Sequence, residues 1–224
     1  MPTKFETVLW DMDGTLIDSE PMWGEEELAL ANEYEIPWSA TDSLTCLGGP
    51  ISRVDAHMRE LSGNRFAPGY LSDALIKRMA TRLSQGVAFA PGARPLLDEM
   101  RNDKVKLGLV TASTRSIVEA AMRSVGDAIF SSIVSADDVP NPKPDPAGYL
   151  KAALELDSKI EKCLIIEDSP NGMRAAISSG AYVLGLDHGR ELPTSSKTKM
   201  VHNLLGLNWS QINDLFQSEE TLEL

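Results

Sequence analysis

Cysteine, basic charge and long apolar runs are all scarce in this 224-residue chain. Cys46 and Cys163 are the only thiols. They lie far apart, and neither has neighbours at metal-ligand spacing. That argues against a disulfide-stapled scaffold or a thiolate metal centre and fits a reducing compartment. Lys and Arg number 21 against 33 Asp and Glu, a formal net charge of −12. Such a chain repels a polyanion, so nucleic acid is not an expected partner. A small phosphorylated ligand meets the same repulsion, and its site must carry a metal ion or basic side chains of its own. No apolar stretch reaches the ~18 residues that a bilayer crossing requires. The N-terminus has neither an apolar signal region nor a small-residue cleavage site. A cytoplasmic protein without a membrane partner is expected, and a monomer.

What is present is a rhythm. Short apolar runs at 5–10, 105–110, 129–134, 163–166 and 181–186 are continuous rather than alternating, as in strands buried on both faces. A sixth run is expected near 200–201. Helical patterns separate the later runs. Ile117, Val118, Ala121, Met122 and Val125 fall at helical spacing before Gly126. Ser169-Pro170 reads as an N-cap followed by proline at the first helical position, with Gly180 as the stop. Pro146 can open a helix towards Leu156. Alternation of this kind implies an α/β fold with a parallel sheet.

Residues 19–85 break the rhythm. Amphipathic or acidic helical patterns at 25–34, 53–61 and 71–83 are interrupted at Gly48-Gly49-Pro50 and Pro68-Gly69, with no strand pattern. The expected organisation is a Rossmann-like core of residues 1–18 and 86–224 with an all-helical insertion, 19–85, after the first strand. The acidic end, 218–224, is expected to fray.

In an open α/β sheet, ligands bind beyond the carboxyl ends of the strands. Asp11-Met12-Asp13-Gly14-Thr15 follows the first run, and Thr111-Ala112-Ser113 the second. Asp137-Asp138 and then Lys143, set among Pro140, Pro142, Pro144 and Pro146, follow the third. Glu167-Asp168-Ser169 follow the fourth. Carboxylates converging on one edge repel unless a hard cation joins them, and magnesium prefers oxygen ligands. Asp11 and Asp168 are the natural ligating side chains. Gly14 lets backbone approach a ligand closely. Thr111 and the helix start behind it, at Ala112 and Ser113, offer a hydroxyl and free N–H groups to an anion. The proline-stiffened Lys143 supplies positive charge.

Asp11-Met12-Asp13-Gly14-Thr15-Leu16, Thr111, Lys143 and Glu167-Asp168 together resemble, in order and in placement at strand ends, the four motifs of the haloacid dehalogenase (HAD) superfamily. The motifs span almost the whole expected core. The resemblance implies that Asp11 attacks phosphorus to form an aspartyl phosphate, while Asp13 protonates the leaving oxygen and then activates water. It further implies Mg2+ held by the side chains of Asp11 and Asp168 and the backbone carbonyl of Asp13, with Glu167 as a water-mediated or indirect ligand. Thr111 and Lys143 would bind the phosphoryl group. The insertion resembles the mobile cap of the subgroup containing β-phosphoglucomutase and sugar-phosphate phosphatases. Asp18-Ser19-Glu20-Pro21-Met22-Trp23 is similar to the corresponding segment of hexitol-phosphate and 2-deoxyglucose-6-phosphate phosphatases.

Gly14, Ser19, Trp23, Arg53, Ala112 and Ser113 are the candidate substrate contacts. Asp18 and Ser19 also fit a hinge, Trp23 fits the core equally well, and His57 fits a structural role. Asp137 and Asp138 suit loop solvation or support of the metal's ligands, with a direct place in the magnesium shell as the alternative, and Glu25-Glu26-Glu27 suits a solvated helix face. A phosphatase acting on a small phosphorylated metabolite, such as a sugar or sugar-alcohol phosphate, is the expected activity. A β-phosphoglucomutase-like phosphotransferase is the alternative, although such mutases typically carry histidine where Trp23 stands. A phosphonate hydrolase would need a cap lysine, and Lys77 is the only lysine there, in no motif. A non-catalytic phospho-ligand-binding protein is disfavoured because every core position carries a competent residue.

Overall fold

The computed structural model describes residues 4–46 and 50–217, so the Gly48-Gly49 part of the expected break and the acidic end lie outside the described residues. Strand β1 (Thr7–Trp10) is followed by four helices, α1 (Glu20–Glu33), α2 (Ala40–Cys46), α3 (Ile51–Leu61) and α4 (Tyr70–Leu83). Then come α5 (Ala93–Asn102), β2 (Lys106–Val110), α6 (Arg115–Val125), β3 (Ser132–Val134), α7 (Ala147–Glu155), β4 (Leu164–Glu167), α8 (Pro170–Ser179), β5 (Tyr182–Leu186), β6 (Thr198–Val201) and α9 (Trp209–Gln217). The six strands form one parallel sheet in the order β3-β2-β1-β4-β5-β6. The expected α/β class is correct.

Strand periodicity sends alternate side chains to opposite faces. Val8, Trp10, Leu164 and Ile166 pack with Leu96 of α5, Ile117 of α6 and Ile212 of α9. Leu9, Ile165 and Val183 pack on the other face with Tyr149 and Ala152 of α7 and Met173 of α8. Both faces are therefore covered, which is why the strands read as continuous apolar runs.

The helical segment has its own cluster, including Leu30, Trp38, Val54, Met58, Leu71 and Leu75. Helix α4 joins the two regions, because Met79 and Leu83 belong to the cluster beneath the sheet. The chain leaves and re-enters the sheet region side by side. Ile17 bridges Phe89 antiparallel, the Asp18 N–H donates to the Ala88 carbonyl at 2.9 Å, and the Ala90 N–H donates to the Leu16 carbonyl at 2.9 Å.

Two strand limits differ from expectation in ways that matter. β3 is short because residues 127–129 form a single 3-10 turn. β4 runs on through Glu167, so this residue ends a buried strand rather than beginning a loop. β2, β1 and β4 are neighbours, and their carboxyl ends bring Thr111, Asp11 and Asp168 to one edge.

Candidate active site

The Asp11 N–H continues the ladder by donating to the Ile166 carbonyl at 3.0 Å. The chain then turns sharply. The N–H groups of Leu16 and Ile17 both donate to the Met12 carbonyl, at 2.9 and 3.0 Å, and Gly14 takes φ +82°. A Cβ on Gly14 would stand 2.4 Å from Asp168 Oδ2. Only glycine permits both the left-handed backbone and this approach to a carboxylate.

Four donors hold the Asp13 carboxylate. Oδ1 accepts from Ser19 Oγ at 2.6 Å and from Trp23 Nε1 at 3.4 Å. Oδ2 accepts from Ser113 Oγ at 2.8 Å and from Thr111 Oγ1 at 3.4 Å. The Ser113 N–H in turn fixes Thr111 Oγ1 at 3.0 Å. Donors from the β2 end and from the helical segment thus meet on one acid.

Lys143 is buried between two carboxylates, its Nζ 2.5 Å from Asp11 Oδ1 and 2.6 Å from Glu167 Oε1. Burial alone would lower the lysine pKa, but Asp11 and Glu167 outweigh it and hold the ammonium form well above its usual range. Glu167 is saturated. Its Oε1 also accepts from the Tyr149 hydroxyl at 3.0 Å. Its Oε2 accepts from the N–H groups of Asp168 and Ser169, both at 2.9 Å, and from Ser169 Oγ at 3.2 Å. These bonds use the lone pairs a carboxylate offers, so Glu167 anchors Lys143 beside Asp11, an arrangement compatible with the indirect part expected of it. A Cβ on Gly172 would stand 1.6 Å from Glu167 Oε1, so helix α8 can pack here only with glycine at that position.

Asp11, Glu167 and Asp168 are all buried, with carboxylate oxygens within 4.8 Å of one another. Burial and then Glu167 push the Asp11 carboxyl up to about 8 despite the neighbouring Lys143 ammonium. Burial and then Asp11 raise Asp168 well above the usual carboxylate range. An all-oxygen donor set that resists ionisation in its own company suits a hard divalent cation. Asp168 has basic neighbours as well: Arg190 Nη2 at 3.2 Å and His188 Nε2 at 3.9 Å from Oδ2. Arg190, His188 and Tyr149 were not among the sequence candidates. Asp187-His188-Gly189-Arg190 follows β5 at the same sheet edge, so asking what lies beyond a fifth strand reaches it. Tyr149 carries no comparable signal, because a helical tyrosine reads as core.

A cavity of about 790 Å³ opens above this cluster. Asp11, Asp13, Thr111, Ala112, Ser113, Lys143 and Asp168 line its floor, and Trp23 its wall. Several candidates lie elsewhere. Ser19 is fully buried and holds Asp13, so it acts beneath the cavity and not as a substrate contact. Gly14 makes room for Asp168 and does not line the cavity. Arg53 is exposed on the outer side of α3, whereas Ile51 and Val54 face inward, so it is not a lining residue. His57 Nε2 meets Asp42 Oδ1 at 2.8 Å and stacks edge-on to Trp38, a structural arrangement. Asp137 accepts from the Arg115 N–H at 2.8 Å, and Asp138 caps its turn through the Ser135 N–H at 2.7 Å, so neither reaches the acidic cluster. In the run 25–27, Glu25 and Glu26 pair with Arg82, but Glu27 is buried and lines the cavity. Two residues of helix turn the side chain by about 200°, which carries Glu27 away from the solvated face.

The profile of the haloacid dehalogenase-like hydrolases matches residues 8–186. The chain belongs to this family. The HAD resemblance of the motifs is therefore correct, and the chain is a hydrolase. Hexitol phosphatase B of Escherichia coli (strain K12) is 30% identical over 179 residues, covering 78% of this chain and 80% of that protein. The phosphorylated carbohydrates phosphatase of Thermotoga maritima is 29% identical, covering 88% and 94%. Among solved structures, CbbY from Rhodobacter sphaeroides in complex with phosphate superposes with a TM-score of 0.76 at 25% identity, covering 91% of this chain and 96% of that one. The expectation of a phosphoric monoester hydrolase stands with these relatives, two of which are named as phosphatases.

Proposed function

We propose that this HAD-family hydrolase is a magnesium-dependent phosphatase that releases inorganic phosphate from a small sugar or sugar-alcohol phosphate through a phosphoryl-Asp11 intermediate. The observation that carries this reading is the buried chain Asp11–Lys143–Glu167 beside Asp168 on the cavity floor. In the first half-reaction an Asp11 oxygen forms a bond to phosphorus as the bond from phosphorus to the substrate oxygen breaks. Asp13 gives its proton to the departing alkoxide. In the second, water attacks the phosphorus of the acyl phosphate, Asp13 takes back a proton and Asp11 is restored. Lys143, Thr111 and the backbone of Ala112 and Ser113 hold the phosphoryl oxygens and offset developing charge.

Mg2+ would be held by the side chains of Asp11 and Asp168 and the backbone carbonyl of Asp13. When bound, it neutralises charge on the transferring group. The four donors around Asp13 hold its carboxylate at the cavity.

Residues 19–85 form a cap over the core of 1–18 and 86–224, a division supported by the single antiparallel bridge between Ile17 and Phe89 where the chain crosses. The cavity lies between the two, so access to it depends on their relative position. The substrate class is supported by relatives named for hexitol and phosphorylated carbohydrate substrates. Hydrolysis rather than phosphoryl return to sugar is supported by Trp23, whose indole donates to Asp13 but offers no basic nitrogen to a sugar hydroxyl.

The test is phosphate release from sorbitol 6-phosphate and 2-deoxyglucose 6-phosphate with Mg2+ and with chelator. Metal-dependent release, with Asp11→Asn at least about 10⁴-fold slower, is expected. Release that survives Asp11→Asn overturns the assignment of the nucleophile. Conversion of β-glucose 1-phosphate to glucose 6-phosphate without free phosphate would establish a mutase instead.

A further inference from the structure

Helix α1 lays a stripe of residues along the cavity. Ser19, its N-cap, Trp23 and Glu27 are spaced by four, so they share one face. The first two hydrogen-bond Asp13. Glu27 stands one turn further from the chemistry, about 6 Å along the axis. It is only 6% exposed, yet it lines the same cavity as Asp11 and Lys143.

Burial of a carboxylate is costly unless it is paired, and no described Lys, Arg or His forms an ion pair with Glu27. One group supports it. Burial raises the Glu27 carboxyl above its usual range and the Ser43 hydroxyl offsets part of that, while Trp38 Nε1 donates to Ser43 Oγ at 2.8 Å and holds it in place. Around it the wall is apolar, with Leu28, Trp38, Leu44 and Val54. The cap half of the cavity also carries Asp18, Glu20 and Glu25 but no lysine or arginine, since Lys143 on the floor is the only basic lining residue among the described residues.

We infer that Glu27 is a specificity-determining residue. It accepts a hydrogen bond from a donor on the body of the phosphomonoester, a hydroxyl or a protonated amine, and it rejects substrates that carry a second anionic group. This deepens the phosphatase reading and rests on it. A buried acceptor with apolar neighbours rewards a donor strongly, because each partner left unpaired would be buried. With no Lys or Arg among the described cap residues that line the cavity, a second phosphate or carboxylate is left uncompensated there, and Glu27 adds repulsion.

The experiment measures kcat/KM with Mg2+ for glucosamine 6-phosphate, sorbitol 6-phosphate, fructose 1,6-bisphosphate and para-nitrophenyl phosphate. It uses the wild type, Glu27→Gln and Ser43→Ala, with folding checked by Tm. The wild type is expected to favour the two monophosphates over the bisphosphate by at least about tenfold. Glu27→Gln is expected to reduce kcat/KM for glucosamine 6-phosphate at least about tenfold more than for para-nitrophenyl phosphate, and to narrow the bisphosphate gap. Ser43→Ala, which leaves the carboxylate in place, should move the same ratios in the same direction by less. Equal losses on all substrates, or unchanged ratios in both variants, overturn the role of Glu27. So does a wild type that turns over para-nitrophenyl phosphate but prefers the bisphosphate, while leaving the phosphatase reading intact. Absence of turnover on every phosphomonoester, the aryl ester included, sinks both.

Discussion

The floor and the wall of one cavity are built on opposite terms. On the floor the ionisable groups are tied to one another and to fixed donors. Asp13 has four donors, Glu167 has five, and Lys143 is clamped between two carboxylates. The wall formed by α1, α2 and α3 is largely apolar, with Glu27 as the one buried acid among its described lining residues. A dense polar network has a single arrangement and is costly to disturb. An apolar wall tolerates exchange of one side chain for another of similar volume. On the proposed reading, the difference teaches that the strand ends would fix the phosphoryl chemistry, while a few replaceable residues of the helical segment would set selectivity.

The largest break in that comparison should come from Lys143→Met. It removes the cation between Asp11 and Glu167, and kcat on any phosphomonoester should fall about 10³-fold in steady-state assays. A loss of less than tenfold would mean that the floor is not the rigid unit described. Gly172→Ala probes the same network from behind. A methyl group 1.6 Å from Glu167 Oε1 forces that carboxylate or helix α8 to move. The expected cost is about 3 kcal/mol, seen as a Tm lower by about 6–12 °C. An unchanged melting temperature would show that Glu167 has freedom the geometry denies.

Arg53→Ala sharpens the contrast from the cap. The residue is exposed and outside the cavity lining, so kcat/KM for sugar phosphates should change by less than about twofold. A selective tenfold loss would show that α3 swings inward when substrate binds. The smallest effect concerns the α2–α3 contact. Hydrogen bonds from Ser39 and then His57 lower the Asp42 carboxyl to about 2. Its folded pKa lies below its unfolded value, so the stabilisation is complete above the unfolded pKa and disappears as pH falls through about 2. The Tm difference between wild type and Asp42→Asn should therefore be present at pH 6 and shrink between pH 4 and pH 2. A difference that persists undiminished would assign the effect to packing.

Much of this was legible in the residue string. Five apolar runs became strands within a few residues, because strands covered on both faces must be continuously apolar. The short helix α2, with sequence ATDSLTC, gave no helical signal. Its Thr, Asp and Ser are weak helix formers, and it is held by packing against its neighbours. Helices α5 and α9 do carry the spacing, through Leu96, Leu97 and Met100 and through Trp209, Ile212 and Phe216, and a window drawn over them would have found both.

Among the proposed site residues, Asp11, Asp13, Thr111 and Lys143 were legible from order and neighbours as a group that would share one sheet edge, and they line one cavity. Ser19 was found but misplaced, since only the folded chain shows its hydroxyl turned beneath Asp13. Arg53 is a candidate by sequence, and the helix phase puts it on the exposed side of α3.

The sequence by itself determined the sheet, the family and the acids, base and hydroxyl at the strand ends, because those depend on periodicity and on the residues just beyond each strand. Tertiary structure alone decided that Glu167 anchors Lys143, that Arg190 and His188 reach Asp168, and that Glu27 turns into the cavity. The physical reason is that these roles depend on which groups meet across 20 to 150 residues of chain, and burial of charge takes its value from the partner found there.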